Sequence, residues 1–593
     1  MALGHRRVVS YNEFLQRSVR PALDQLRDAP SRRPALREGN MAEEKLEVIP
    51  LGGVGFFGMN MMALRCGGEA IILDAGMGFP DEETPGVDII IPDFSFIDEY
   101  RDEITAIVLT HGHEDHIGAV PFLLKEVDVP VYGTHFTLAL LENKLIEHGL
   151  ADTTILHAVE PRQQVNLGNF EVEWIHVTHS LTACTAVAIT TPVGVVIHSG
   201  DFKVDDTPVI GPPMDLRRLT EYGDRGVLAL FADSTNAERP GRTQSERAVI
   251  PAFENIFDEA TGRIIVSCFT TSLHRIQIVV DMARDSGRHI ALLGRSMLRN
   301  IETADSLRQL DLPDGIFVTP SQARQMDDDR LVLLVAGCQG DPMSAMTHLA
   351  TDQHKNLSVG EGDTVVLSAR IIPGNERAIS RLISHCYKRG ARVIDSSLAR
   401  IHCSGHGSQE DLRILIEAIR PRFLVPIHGE YRQLYRHREW AATLGIVETD
   451  HIIIFENGDV LEFDDGSARI TAKEFVGRTF IDGAYGEVED IVVRDRKHLS
   501  YDGIVVPIVA INPTSGELET DPEVVTRGFI HEEDSAEMLS ELKRIVEETV
   551  RTASHEERID YAIIKEKIRA NLKRYISKGT GRRPMIIPVV VEV

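Results

Sequence analysis

Apolar and polar positions along this chain alternate in short blocks. From 46 to about 235 the apolar blocks fall at 46–51, 70–73, 106–109, 129–132, 193–197 and 227–231, rich in β-branched residues and separated by Gly and Asp. Runs of that length and content predict strands. Helical periodicity appears between them at 119–126 and 137–148. The pattern predicts a sandwich-like α/β domain rather than strict strand–helix alternation. Between about 245 and 400 the rhythm changes. Strand-like runs at 263–267, 289–293, 331–335, 364–368 and 392–394 alternate with helical runs at 274–286, 297–310 and 376–389. That alternation predicts a doubly wound parallel unit. After 400 strand-like runs return at 423–427 and 452–455. The stretch 465–490 is rich in Gly and Asp and reads as a connector. From 491 a small α+β domain is expected, closing in a final strand over 585–593. No internal repeat and no low-complexity tract is visible.

Composition narrows this picture. At 593 residues the chain is too long for one ordinary domain. Its 43% apolar and 26% charged content is that of a globular protein and excludes long-range disorder and collagen-like repeats. No stretch approaches the roughly 18–20 apolar residues of a spanning helix, so no membrane association is expected. The six Cys, at 66, 184, 268, 338, 386 and 403, form no Cys-x-x-Cys pair. This argues against a disulfide framework and a Cys-type zinc ribbon, and predicts a reducing cytoplasm. The net charge of −27 argues against nonspecific coating of nucleic acid. The charge is uneven, however. Residues 236–400 carry 20 Lys plus Arg against 20 Asp plus Glu, and 18 of those cations are Arg. A local Arg-lined groove for RNA or DNA therefore stays open. Residues 1–40 hold eight Arg and four acids, without the apolar core of a secretory signal. Two readings fit them. Either translation begins at Met41, or they form a disordered basic arm that adds affinity for a polyanion such as RNA. In both cases the folded core is expected not to need them.

The candidate chemistry centres on Thr110-His111-Gly112-His113-Glu114-Asp115-His116, directly after the strand-like run 106–109. Two His at i and i+2 leaving a strand point to the same side. Asp115 and His116 then open a helix. Three imidazoles and a carboxylate so close together suit Zn²⁺ or Mn²⁺. A cluster of solvated surface histidines is the bland alternative, and this pattern at a strand end arises by chance far too seldom to favour it.

His-x-His-x-Asp-His after a strand resembles the metallo-β-lactamase fold hydrolases. Further segments resemble the family pattern in order: Asp74 in Leu73-Asp74-Ala75-Gly76, His179 in Thr178-His179-Ser180, and Asp201 in Ser199-Gly200-Asp201. Those alone leave thiol-ester hydrolases and tRNA 3′-processing enzymes open. Asp233-Ser234-Thr235-Asn236, His402-Cys403-Ser404-Gly405-His406-Gly407 and Pro426-Ile427-His428-Gly429-Glu430 resemble the three motifs of the β-CASP nucleases. Gly294-Arg295-Ser296-Met297, Gln339-Gly340-Asp341, Ile372-Pro373-Gly374-Asn375-Glu376 and the ending Arg582-Arg583-Pro584-Met585 resemble the bacterial ribonuclease J family. The resemblance covers about 46–593. The chain departs from the usual pattern at Phe56-Phe57, Thr182-Ala183, Cys338 and 269–273. None of these removes a ligand.

The resemblance implies an α/β fold: a metallo-β-lactamase αββα sandwich (43–240 and 401–464) with an inserted parallel α/β β-CASP domain (241–400). A linker (465–490) and a small C-terminal α+β domain (491–593) follow, and an extension (1–42) expected to be disordered precedes. It implies two divalent metal ions per chain, zinc first, with manganese or magnesium as alternatives. His111, His113 and His179 would hold one; Asp115, His116 and His428 the other; Asp201 would bridge. Asp74 would brace the site. Asp233 would be the general acid and His406 its partner, with a simple turn cap as the lesser alternative for Asp233. His402, Cys403, Ser404, Gly405 and His406 would cradle the substrate phosphate, with Arg295, Ser296, Thr271, Ser272 and Leu273 as further contacts. Gly86, Asp88 and Asp482 match positions of a structural calcium ion. His198 and His274 read as structural, and Phe56 and Phe57 as packing residues that are also able to stack a base. The implied activity is 5′-to-3′ exonucleolytic hydrolysis of RNA from 5′-monophosphate ends, with endonucleolytic cleavage, in RNA decay and maturation. The implied partners are RNA, a second copy through the C-terminal domain (dimer or tetramer), and RNA-decay or ribosome-associated proteins. The competing expectations are a tRNA 3′-processing or DNA-acting nuclease of the same fold, and a catalytically inactive scaffold.

Overall fold

A computed structural model describes residues 45–593 except 81–82, 373, 465, 484–485 and 530–534. The expected extension 1–42 lies outside the described residues. The chain divides into two units, one running to Gly78 and over Ile91–Arg478, the other comprising Phe79–Ile90 and Thr479–Val593.

The first unit contains two stacked sheets and an inserted third. The first sheet has eight strands, ordered Ala468–Lys473, Asp459–Phe463, Leu46–Gly52, Met61–Cys66, Glu69–Leu73, Ile104–Val108, Val131–Thr134 and Leu156–Val159. The second has six: Phe423–Ile427, Ala229–Asp233, Val195–His198, Cys184–Thr190, Phe170–Val177 and Gln164–Leu167. Their inner faces share one core, in which Leu64, Ile71, Val108, Trp174, Phe231 and Phe463 are nearly or fully buried. Phe423–Ile427 is parallel to Ala229–Asp233 although about 190 residues separate them in sequence. The intervening chain builds the third sheet, whose six strands pair only in parallel. Its central strand Leu331–Val335 is buried at every residue, as a strand covered by helices on both faces must be. This is the expected β-CASP arrangement of strand and helix.

The sandwich does one thing for the site: it fixes where the strand Ile104–Val108 ends. The indole N–H of Trp174, on the second sheet, donates to the Leu109 carbonyl at 3.1 Å. Thr185 donates to the Thr110 carbonyl from both its backbone N–H (3.1 Å) and its hydroxyl (2.8 Å). The exit of the strand that carries the His cluster is thus held from the opposite sheet.

In the second unit Ile504–Ile511 alternates half-buried and buried residues. Its buried face meets Leu542, Val546, Ile564, Ile568 and Leu572 of the helices Ser535–Thr552 and Tyr561–Thr580. Among the described residues no helix is long and apolar enough to cross a membrane.

Three expectations change. Residues 465–490 are not a bare connector. Ala468–Lys473 is the edge strand of the eight-stranded sheet, and Arg478–Asp482 pairs with Gly486–Val488; the Gly and Asp residues punctuate these strands. The final strand is broken into Met585–Ile586 and Val589–Glu592, because Pro588 has no N–H to give a ladder. Residues 452–455 form only an isolated bridge, Leu424 with Ile452.

If Trp174 is the pin described, Trp174→Ala should destabilise the first unit by about 3–5 kcal/mol. Urea unfolding followed by near-ultraviolet circular dichroism checks this. An unchanged midpoint would contradict the assignment.

Candidate active site

The ligand-bearing segment follows Ile104–Val108, and His113 precedes the short helix Glu114–Ile117. Asp74, at the end of Glu69–Leu73, organises it. One Asp74 oxygen accepts the Thr110 N–H at 2.8 Å; the other accepts the Thr110 hydroxyl at 2.7 Å and lies 2.8 Å from His116 Nδ1. This bond fixes the His116 tautomer and turns Nε2 toward the site. Asp74 sits at φ +57°, and a Cβ on the nearby Gly76 would meet the Asp115 carbonyl at 1.6 Å. Only glycine lets these two loops approach.

Two donor sets result. In the first, His111 Nε2 lies 3.1 Å from His113 Nδ1, which lies 3.2 Å from His179 Nε2. Four ligands at zinc–nitrogen distance in a tetrahedron are about 3.3 Å apart. His179 is aimed by Nδ1, 2.7 Å from the Gly405 carbonyl. In the second set, His428 Nε2 is 3.5 Å from Asp115 Oδ2 and 3.4 Å from Asp201 Oδ1, and His116 Nε2 is 3.4 Å from the same Asp201 oxygen. Asp201 Oδ2 faces the first set, 3.7 Å from His111 and 3.8 Å from His179. The carboxylate therefore stands between the two sets, one oxygen toward each.

The chemistry of these donors fits metal ions. His428 Nε2 is buried without a hydrogen-bond partner, a costly state for a polar atom unless something binds it. Three mutually facing imidazole nitrogens cannot satisfy one another either. Burial pushes His111 and His179 well below the ordinary imidazole range, leaving neutral lone pairs. Burial also disfavours a charged His116, but the Asp201, Asp115 and Asp74 carboxylates overcome it and push the ring up to about 10. A metal ion held by that set would compete with a proton for His116.

Beside this centre, Asp233 Oδ2 lies 2.8 Å from His406 Nδ1, and its other oxygen accepts the Thr235 N–H at 2.9 Å. The turn-cap and catalytic readings of Asp233 thus coexist. Burial opposes its charge, but His406 and His428 hold the carboxyl well below the usual range. Asp233 and His406 thus stand as one hydrogen-bonded pair beside the donor sets.

The loop 402–406 is held from several sides. Asn236 Nδ2 donates to the Ser404 hydroxyl and the His406 carbonyl, both at 2.8 Å, and Lys203 Nζ donates to the Ser404 carbonyl at 3.2 Å. Lys203, Glu246 and Arg275 form a fully buried charge group: Glu246 takes Lys203 at 3.2 Å and Arg275 at 2.6 Å, and Arg275 also donates to the Ile401 carbonyl and the Ser368 hydroxyl. Burial opposes the Glu246 charge, yet the two cations hold its carboxyl down to about 2. None of these three was singled out in the sequence, and neither was Asn60, whose amide stands 3.0 Å from His116 Nε2. Gly405 permits the close approach, since a Cβ there would lie 2.6 Å from the His179 ring.

Other expected contacts are sorted by burial. Cys403 is buried with Sγ on the Ser245 carbonyl, so only its backbone is available to a ligand. Leu273 is fully buried at the start of the helix Leu273–Asp285 and cannot touch substrate through its side chain. Thr271 and Ser272 are half-buried, and Arg295 and Ser296 are exposed. The Asn300 amide donates to Thr270 at 3.0 Å, joining the 269–273 turn to the helix Arg295–Ser306. Phe56 and Phe57 are both exposed, and Phe57 lies edge-on to His428 with ring centres 6.5 Å apart. In the second unit, Arg496 donates to the Gly86 carbonyl at 2.8 Å and to Asp482 at 3.3 Å, while Asp88 accepts the Gly483 N–H. The positive charge facing Gly86 and Asp482 is that guanidinium, so the trio does not fit a calcium cradle.

Comparison with known proteins agrees with this arrangement. Residues 54–237 match the metallo-beta-lactamase superfamily and 392–453 the Zn-dependent metallo-hydrolase RNA specificity domain. Residues 261–386 match the ribonuclease J beta-CASP domain and 491–593 the ribonuclease J C-terminal domain. The Ribonuclease J of Synechocystis sp. is 38% identical over 558 residues, 92% of this chain and 87% of that protein. The chain belongs to the ribonuclease J family. The Ribonuclease J of Thermus thermophilus is likewise 38% identical, over 93% of this chain and 96% of that one. Ribonuclease J2 of Bacillus subtilis is 35% identical, over 93% and 99%. In this chain the metallo-β-lactamase, β-CASP and C-terminal domain matches follow one another as they do in that family.

Asp74→Asn tests the brace. Losing the anion that fixes His116 should weaken metal affinity by about 10–100-fold with the fold intact. Chelator competition alongside a thermal melt measures both; unchanged affinity would refute the brace.

Proposed function

We propose that this chain hydrolyses RNA phosphodiester bonds at the His–Asp centre with two divalent ions, zinc in the first place. The observation that carries the reading is Asp201, with one oxygen turned to each donor set. Bound there, two metal ions would supply Lewis-acid stabilisation of an in-line phosphoryl displacement and a water of lowered pKa.

The chain's own residues supply the rest. His402, Ser404 and the Gly405 backbone hold the phosphate next to the centre. Burial, with Arg275 adding to it, pushes the His402 imidazole down to about 4, so it stays a neutral donor at pH 7. The Asp233–His406 pair delivers the proton to the leaving 3′ oxygen, Asp233 as the general acid and His406 as its partner. Phe57 offers a face to a base beside His428. We place attack mainly at 5′-monophosphate ends, moving 5′ to 3′, with internal cleavage as a second mode in RNA decay and maturation. The six described cysteines are all buried and unpaired, which supports a reducing cytoplasm. Exposed Val525, Ile563, Val589 and Val591 in the C-terminal domain support self-association through it.

Digestion of RNAs bearing 5′-monophosphate, 5′-triphosphate or 5′-hydroxyl ends tests the mode. The monophosphate should be shortened fastest from its 5′ end. Equal rates with internal cuts only would leave an endonuclease, and no cleavage with metal bound would leave a scaffold.

Asp233→Asn tests the proton path. The rate should fall by about 10²–10⁴ while RNA affinity and metal content stay near wild type. Loss of metal would instead make Asp233 a structural support of His428.

A further inference from the structure

Arg370 and Arg239 stand beside the 402–406 loop, and no carboxylate lies within ion-pair distance of either among the described residues. Most other arginines near the site are paired: Arg242 with Asp206, Arg275 with Glu246, Arg432 with Glu238. The two side chains are exposed, yet close enough to repel. Partial desolvation, then the Arg239 charge, lowers the Arg370 guanidinium below its ordinary value. Like-charged neighbours left without a counter-ion are unfavourable, and are relieved when an anion binds between or across them.

The position of Arg370 is fixed from both ends. Its carbonyl accepts the Gln339 amide at 2.9 Å, and Gln339 also accepts the Ile372 N–H at 2.9 Å. Two residues earlier, Ser368 is tied to Arg275 and to the Ile401 carbonyl. At the head, Nη1 reaches the Asn236 side-chain oxygen Oδ1 at 3.5 Å, and the Nδ2 of the same amide donates to Ser404 and His406. Arg370 also contributes to the lowered pKa of His402. One asparagine thus joins the guanidinium to the loop already assigned to the substrate phosphate. Arg239 follows on the same turn, its N–H donating to the Asn236 carbonyl at 2.9 Å.

We propose that Arg370, with Arg239 beside it, forms a second phosphate receptor that binds an RNA backbone phosphodiester neighbouring the one held at 402–406. Its ligand is the phosphate group of a chain of nucleotides, not a base, so it adds affinity and register without sequence preference. A guanidinium fork suits two phosphate oxygens at once, and a lysine there would act only as a point charge. The site explains how an acidic chain grips RNA locally: the cations are placed, unpaired, where the strand must pass.

The assignment rests on the ribonuclease reading, and the experiment separates the two. RNA affinity is measured by fluorescence anisotropy on a 5′-phosphorylated oligonucleotide over a salt series, with steady-state cleavage of the same RNA by the metal-loaded full chain. Arg370→Gln should weaken binding about tenfold and reduce the slope of log affinity against log salt by about 0.7, the value for one single-strand phosphate contact. Its effect on cleavage should fall on KM rather than kcat. Arg370→Lys should restore part of the affinity, and Arg239→Gln should give a smaller loss. A wild type that cleaves RNA while Arg370→Gln keeps the same affinity and slope overturns the receptor and spares the ribonuclease reading. A loss in kcat alone, with the slope unchanged, also overturns it. A wild type that neither binds nor cleaves RNA overturns both.

Discussion

Everything at this site depends on one electrostatic imbalance. Neutral imidazole nitrogens from His111, His113 and His179 face one another on one side of the Asp201 carboxylate, and His116, His428 and Asp115 stand on the other. In a protein interior such a set is unstable by itself, since lone pairs point at lone pairs and one ring nitrogen is left without a partner. Cations resolve it. The Asp201, Asp115 and Asp74 carboxylates, which push the His116 ring up, express the same demand for positive charge. The site is arranged to receive positive charge, and the fold holds its donors in place.

That work is done by residues one step removed. Asp74 orients His116, the Gly405 carbonyl orients His179, and the Thr235 hydroxyl, 2.8 Å from His428 Nδ1, orients His428. Each bond uses the outward nitrogen of a ring so that the other can face inward. The anchoring groups come from distant stretches: a strand end of the first sheet, the loop after the inserted domain, and the turn after Ala229–Asp233. The buried Lys203–Glu246–Arg275 group then ties the 402–406 loop to the strand ends of the insert. Removing one member would leave a buried charge unpaired, which is costlier than never having buried it.

Much of this was legible in the sequence, for physical reasons. His111, His113, Asp115 and His116 were readable because a strand end and the following turn place near neighbours together. The parallel insert was readable because its strands are buried on both faces and so are almost purely apolar. His179, Asp201 and His428 lie on other strands, and no spacing rule joins them to the cluster; resemblance to the family, not periodicity, singled them out. Lys203, Glu246, Arg275, Asn60 and Arg370 went unnoticed because each matters through contacts across many residues of chain. Leu273 was misjudged as a contact because a motif position does not say which way a side chain faces. Residues 465–490 were misjudged because Gly and Asp mark turns between strands as readily as they mark linkers.

The central claim is that one carboxylate joins two metal sites. Titration of metal-free chain with Zn²⁺ by isothermal calorimetry, repeated with Asp201→Asn, tests it most directly. Two equivalents should bind to the wild type, with proton release as His116 gives up its charge, and both should be weakened together in the variant because each set loses an oxygen. A single equivalent in the wild type, or a variant in which one site keeps its full affinity, would contradict the account.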